Sequence, residues 1–242
     1  GSIQKEESYD NGMRNGKFTE YYPSERVSKS YNFKNNLLDG EYIEYLPIGY
    51  VSVKGEFSNG LKSGVWETFN ENGDIFSIGK YINDYQNGNW KFFHNSGNIS
   101  LEGIFKNGYE SGQWISYYDG GELDEIGEYI NGLKDGKWGR FHVGGSLKQE
   151  EIYKLGKLIE VSDFYLSDGN VFKNETFDNG NGELFDYYED GNIFSIAKYK
   201  NGLLNGMYSE YHTNGKISQS GMYKNGEKSG TWNEYNLSLI HI

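Results

Sequence analysis

The sequence predicts an all-β chain: an elongated antiparallel β-meander of about ten β-hairpin repeats, each 24 residues long. Three observations predict it. The first is a fixed aromatic period. Tyr9, Phe33, Phe57, Tyr81, Phe105, Tyr129, Tyr153 and Phe177 are each 24 residues apart, Tyr199 follows after 22, and Tyr223 after 24. The second is a turn signal in register with that period, Asn-Gly at 59–60, 107–108, 131–132, 201–202 and 225–226. The third is composition. Glycine is abundant at 34, proline nearly absent at 2, and aromatics make 17% of the chain. That mixture reads as short strands joined by turns, and no window sustains a helical period.

Each column of the repeat has a physical reading. The first aromatic ends one strand. Asn-Gly then supplies two residues that accept positive φ, as a tight hairpin turn requires. Four residues later comes a glycine column at 16, 40, 64, 88, 112 and 136, then 182, 206 and 230. Glycine inside a strand marks a bulge or a close backbone approach. Two residues on is a second aromatic, Phe18, Tyr42, Trp66, Trp90, Trp114, Trp138, Tyr208 and Trp232, and this column holds all five tryptophans. Three further is a third aromatic, such as Tyr117 or Tyr211. A loop glycine and an aliphatic residue, such as Gly121 and Leu123, close the unit. Like residues in adjacent repeats are expected to stack as cross-strand neighbours. Ten hairpins give about twenty strands and a body on the order of 95 Å long. The second and third aromatics fall on opposite faces of a regular strand. Either both faces are aromatic or a bulge intervenes.

One unit is damaged. Glu160 stands where glycine is expected and Ser162 where an aromatic is expected. The next unit lacks two residues after Asn179-Gly180 and has Leu184 in the tryptophan column. This region, 155–184, is read either as drift in a tolerant array or as a kink or docking site. The organisation expected is a single array over 1–236, cut at both ends, with 237–242 a non-native tail that does not continue the repeat. The compartment stays open on that reading, cytoplasmic or secreted and cell-surface.

Net charge is −12. Nucleic acid and anionic lipid surfaces are repelled by such a chain, and a basic protein partner fits it better. No run of apolar residues is long enough to form a transmembrane helix. Without cysteine there is no disulfide, thiol nucleophile or Cys-ligated zinc. No phosphate-binding loop, nucleophile elbow, zinc-protease or dinucleotide motif occurs. His94, His142 and His212 share a column, but the first two lie roughly 20 Å apart by strand spacing, too far to share a metal. The expectation is therefore no enzyme, no cofactor and no metal. Tyr22, Tyr118 and Tyr188 directly follow the third aromatic column and point to the opposite face. They are read either as packing between repeats or as an exposed aromatic strip suited to a partner. With Trp90, Trp114 and Trp138 they are the partner-binding candidates. Open sheet ends are a further route to self-association.

The pattern, clearest in Gly103-Ile-Phe105-Lys-Asn107-Gly108 and on through Gly112, Trp114, Tyr117 and Gly121, resembles the variant MORN repeat. It is most similar to the bacterial YwqK-family antitoxins over residues 1 to 236. The resemblance implies a protein-interaction scaffold, with an antitoxin-like, partner-binding role and no catalytic motif. The alternative is a cell-surface carbohydrate or cell-wall binding module, which would need aromatic cages left open between hairpins.

Overall fold

The computed structural model describes residues 1–237, and every described element is a strand or a turn. The part of the tail reading that concerns 238–242 lies outside the described residues. The chain divides into two compact units, 1–121 and 122 onward. Unit 1 holds β1 (Lys5–Glu6), β2 (Tyr9–Asp10), β3 (Met13–Arg14), β4 (Gly16–Tyr21), β5 (Val27–Lys34), β6 (Leu37–Tyr45), β7 (Val51–Ser58), β8 (Leu61–Phe69), β9 (Ile75–Ile82), β10 (Tyr85–Phe93), β11 (Ile99–Lys106) and β12 (Tyr109–Tyr117). β1 pairs with β4, and from β4 to β12 each strand pairs antiparallel with the next, while β2 and β3 form a separate ribbon.

Unit 2 holds β13 (Leu123–Ile130), β14 (Leu133–Phe141), β15 (Leu147–Lys154), β16 (Lys157–Val161), β17 (Phe164–Tyr165), β18 (Val171–Phe172), β19 (Phe177–Asp178), β20 (Asn181–Tyr187), β21 (Ile193–Lys200), β22 (Leu203–Tyr211), β23 (Ile217–Lys224) and β24 (Glu227–Glu234). Within it β13 to β16 pair in order, β17 pairs with β18, and β19 to β24 pair in order. The antiparallel meander is therefore present, interrupted in unit 1 by the β2–β3 ribbon and in unit 2 at the damaged repeat. There β16 is short and β17, β18 and β19 are two residues each.

The hairpin turns take the conformation that Asn-Gly favours. Asn107 and Gly108 have φ of 52° and 84°, the doubly positive pair of a turn matched to strand twist. Where glycine is missing, Asn36 and Asp84 hold positive φ and accept a backbone N–H from the preceding repeat, Arg14 N at 2.7 Å and Lys62 N at 2.6 Å. The glycine column forms the bulge expected of it. Gly103 pairs with Trp114 and Ile104 with Ser111, so Gly112 and Gln113 are extra, and Gly112 has φ of 67°.

The question of faces resolves in favour of two aromatic faces. From Trp114 to Ser116 strand β12 keeps its register with β11. Trp114 and Tyr117 therefore point to opposite sides. Tyr117 donates its hydroxyl to Glu102 Oε1 at 3.0 Å. Glu102 pairs with Ile115, on the side away from Trp114. A second register shift does exist, between Phe92 and the third aromatic Phe93, but its extra residue, Ser100, lies in the partner strand, where Ile99 pairs with Phe93 and Leu101 with Phe92.

The core is the tryptophan face. Trp66, Trp90, Trp114 and Trp138 are only 2–4% exposed. In unit 1, rings of the first and second aromatic columns alternate edge to face, from Phe57–Trp66 at 5.2 Å through Tyr81–Trp90 at 5.3 Å to Phe105–Trp114 at 4.9 Å. Such T-shaped pairs contribute about 0.5–1.5 kcal/mol each beyond area burial. Each indole lies back over a glycine of its own hairpin. A Cβ on Gly55, Gly79, Gly103, Gly127 or Gly221 would sit 2.0–2.3 Å from the facing tryptophan's Cδ2. The indole N–H of Trp66, Trp90, Trp114 and Trp138 donates to a carbonyl of the same hairpin at 3.2 Å.

Candidate functional site

The six residues singled out in the sequence occupy two structural roles. Trp90, Trp114 and Trp138 lie in the core face just described, each 4% exposed or less. The tyrosines lie in a latch column. Tyr22 donates its hydroxyl to the carbonyl of Tyr45, and Tyr188 to that of Tyr211, each at 2.6 Å. The histidines are in the same column and do the same work. His94 bonds the Tyr117 carbonyl at 2.8 Å, His142 that of Tyr165 at 2.7 Å, and His212 that of Tyr235 at 2.9 Å. Every one of these bonds spans 23 residues. The side chain reaches one repeat forward and fixes the loop that follows the third aromatic. Tyr118 is also engaged by the protein. The histidine column is thus a set of inter-repeat fasteners, and no cluster of three or more metal-type ligands occurs among the described residues.

Lysines close the core face from above. Lys62 Nζ sits 4.3 Å from the ring centre of Trp66, and Lys134 Nζ 3.9 Å from that of Trp138, within cation–π range. Their column, two residues past the turn, was not singled out in the sequence. The signal was present as a lysine recurring at 62, 134 and 228.

Unit 2 gathers a polar cluster at the damaged repeat that no sequence spacing announces. Arg140 on β14 reaches across to Asp186 on β20, Nη2 to Oδ2 at 2.9 Å, and lies 3.6 Å from Glu151 Oε1. Its Nη1 also donates to Gln149 Oε1 at 3.3 Å. Burial works against the Arg140 charge, yet Asp186 and Glu151 together hold its pKa above the ordinary value. Tyr153 donates to Glu151 Oε2 at 2.9 Å. Its pKa is driven far up, first by burial and then by the Glu151 charge. Tyr199 is raised to about 12 by the same two causes in the same order. His142, buried at 2% exposure, places Nδ1 2.6 Å from Glu189 Oε1. Burial tends to raise the Glu189 carboxyl, but hydrogen bonds from His142 and Ser167 outweigh it and hold the pKa below the usual carboxylate value.

Backbone bonds complete this corner. The turn glycines substitute for the missing strand pairing. Gly180 N donates to Ile159 O at 2.9 Å, Gly202 N to Gly180 O at 2.8 Å, and Leu158 N to Gly202 O at 3.0 Å. A Cβ on Gly182 would meet the Thr176 carbonyl oxygen at 1.8 Å, so the shortened hairpin requires glycine there. The two missing residues remove the bulge, since Phe177 pairs with Gly182 and Asp178 with Asn181 directly. The corner is therefore a break in the strand pairing with specific side-chain chemistry. A partly open cavity there, lined by Gln149, Phe164 and Tyr187 among others, is about 20 Å³, room for about one water.

No curated protein matches the chain. Among solved structures it is similar to a chain in "Crystal Structure of TcdB2-TccC3-Cdc42", at 8% identity and a TM-score of 0.21, covering 92% of this chain and 14% of that one. It is also similar to one in "Crystal Structure of TcdB2-TccC3", at 12% identity and a TM-score of 0.17, covering 91% of this chain and 15% of that one. The chain spans a small fraction of the length of those proteins. Five of its segments, 62–83, 86–107, 110–131, 180–201 and 204–225, match the family described as the MORN repeat variant, and those segments are repeats of that type.

Proposed function

We propose that the chain is a non-catalytic interaction scaffold whose partner is a protein carrying basic residues. One observation carries this reading. The groups most suited to chemistry are spent inside the array: indole N–H groups on carbonyls of their own hairpin, and tyrosine hydroxyls and histidine rings on carbonyls 23 residues on, in the next repeat. What is left for a partner is a periodic surface on a chain of net charge −12. Repeats of the MORN type generally serve as interaction modules. The net charge of −12 favours a basic partner by steering and complementarity. A narrower form of the proposal makes that partner a toxin held inactive by the scaffold, as the YwqK-type resemblance implies.

The test is a pull-down from source lysate with residues 1–236, washed at low and high salt, then reconstitution of binding from purified components. The expected result is one stoichiometric protein partner whose retention weakens with salt. Retention of polysaccharide or wall material alone overturns the protein-scaffold reading and favours the carbohydrate alternative.

A further inference from the structure

One imidazole in unit 2 is placed to donate twice. His142 has Nδ1 2.6 Å from Glu189 Oε1 and Nε2 2.7 Å from the Tyr165 carbonyl oxygen. A carboxylate and a carbonyl accept hydrogen bonds and have none to give. A neutral imidazole carries one N–H and serves only one of them. Its other nitrogen would turn a lone pair toward an oxygen, and at 2% exposure solvent does not relieve that contact. Both contacts are hydrogen bonds only when both nitrogens hold a proton.

The other latch residues set no such demand. His94 Nε2 meets Tyr117 O and His212 Nε2 meets Tyr235 O, and among the described residues each ring has that one acceptor. A neutral ring satisfies it. Tyrosine fills the same place at 22 and 188, with one hydroxyl proton for one carbonyl. A latch needs a single donor. His142 has a second, and it goes to Glu189.

That second bond joins pieces that strand pairing leaves apart. His142 follows β14 in the β13–β16 ladder, and Tyr165 ends the first strand of the β17–β18 ribbon. Glu189 lies in the turn after β20, closed by Tyr188 N on Asn192 O at 2.8 Å, in the β19–β24 ladder. The latch alone ties the first piece to the second, and Glu189 adds the third.

The charges around the ring come from each of these pieces. Glu189 is the nearest, and it remains a carboxylate: burial opposes its charge, but hydrogen bonds from His142 and Ser167 hold its pKa below the usual value. Lys148 of β15, 5.4 Å from the centre of the Phe164 ring, also acts on Glu189. Arg140 of β14 and Asp186 of β20 are paired with each other at 2.9 Å. Asp168 and Asp190, in the two turns, are bonded to Asn170 and Asn192. On β20, burial above all raises the pKa of Tyr187, and the Tyr188 hydroxyl is spent on Tyr211 O.

We propose that His142 is a pH-sensitive clasp, which as an imidazolium holds the Glu189 turn and the β17–β18 ribbon together at the end of β14, and on losing its proton releases one of them. The clasp closes in a window. On the acid side it opens when Glu189 is protonated, below the ordinary carboxylate value of 4.5. On the alkaline side its contribution is lost as pH rises through the loss of the imidazole proton. The Arg140–Asp186 pair keeps its charges across that upper limit, so release is local and the pair acts as the pivot. The inference stands independently of the scaffold reading.

The experiment uses the full chain, isotope-labelled, between about pH 6 and about pH 9, the range in which histidine titrates. Long-range proton–nitrogen NMR spectra read the protons on each ring nitrogen of His142. Amide exchange, corrected for its intrinsic pH dependence, reads the protection of the 188–192 turn. The reference is the turn of unit 1 in which Asn70 holds the latch place and Asn70 N donates to Asp74 O. The expected result is two ring protons at the lower pH and one at the higher, with protection of the 188–192 turn falling at least about fivefold relative to the reference. The His142→Tyr variant puts in the column the latch used at 22 and 188, with a single proton to donate. Its 188–192 turn should change by less than about twofold over the same range. A neutral His142 throughout, a ring titration that leaves the turn's protection unchanged, or equal pH dependence in the parent and His142→Tyr each overturns the proposal.

Discussion

Replacing Gly103 by alanine tests the argument that tryptophan and glycine form one structural unit in this repeat. Gly103 pairs with Trp114 across the hairpin, and its φ lies outside the left-handed region. Alanine is therefore not excluded by backbone conformation, and the effect isolates contact. The new Cβ would lie 2.1 Å from Trp114 Cδ2. Carbon atoms prefer about 3.5–4.0 Å, so the indole has to retreat by roughly 1.5 Å. It has little room, being 4% exposed and set against Phe105 at 4.9 Å. Overpacking of this kind costs about 1–3 kcal/mol, and loss of the Trp114 N–H bond to Ile104 O adds about 1 kcal/mol. Alanine in a strand recovers about 0.5–1 kcal/mol of backbone entropy. The net expectation is a destabilisation of about 1–3 kcal/mol, read from urea unfolding by tryptophan fluorescence and circular dichroism. The array contains its own control, since Ala197 pairs with Tyr208. Adding Trp114→Tyr to Gly103→Ala recreates that pair. The double variant should recover at least ~1 kcal/mol relative to the sum of the single changes. A Gly103→Ala protein within ~0.3 kcal/mol of the parent, or strict additivity in the double variant, would refute the reasoning.

Three further outcomes follow from unit 2. Arg140→Met leaves Asp186 and Glu151 without their cation, and should lower stability by about 2–4 kcal/mol in denaturant unfolding; a change below ~0.5 kcal/mol would mean the cluster is solvated rather than buried. Tyr188→Phe removes the hydroxyl held by Tyr211 O and should cost about 0.5–1.5 kcal/mol, with faster amide exchange expected in the loop after β22. Glu189 has a depressed pKa, so its pairing contributes above the ordinary carboxylate value of 4.5 and is lost as pH falls through the lowered one. Unfolding midpoints measured below pH 4.5 should therefore fall less steeply in Glu189→Gln than in the parent.

The period, the turns and the bulge glycines were legible because each is a local demand. Asn-Gly at a doubly positive φ, and glycine four residues later, answer to the few atoms around them. The tryptophan–glycine rule was equally legible but needed two columns read together. Tryptophan at 66, 90, 114, 138 and 232 stands eleven residues after glycine at 55, 79, 103, 127 and 221, whereas Tyr42 and Tyr208 follow Tyr31 and Ala197. The larger ring occurs where the facing side chain is absent. Reading the aromatic column by itself presents the indoles as free surface; reading it with its partner places them in the core. The latch column shows the same limit from the other side. Alternation sends Tyr22 and Tyr188 away from the third aromatic, but it fixes only a direction. The carbonyl that each meets, 23 residues on, belongs to the next repeat and follows from how hairpins stack. The corner in unit 2 was out of reach for a stronger reason. Arg140 meets Asp186 across 46 residues and His142 meets Glu189 across 47, two repeats on once the 22-residue unit is counted, where the latch column reaches only one. They occur where the strand pairing is interrupted before the shortened hairpin at Asn179–Gly182. A periodic sequence predicts contacts as far as its period holds, and the one place where the period fails is where this chain builds contacts unlike those of its other repeats.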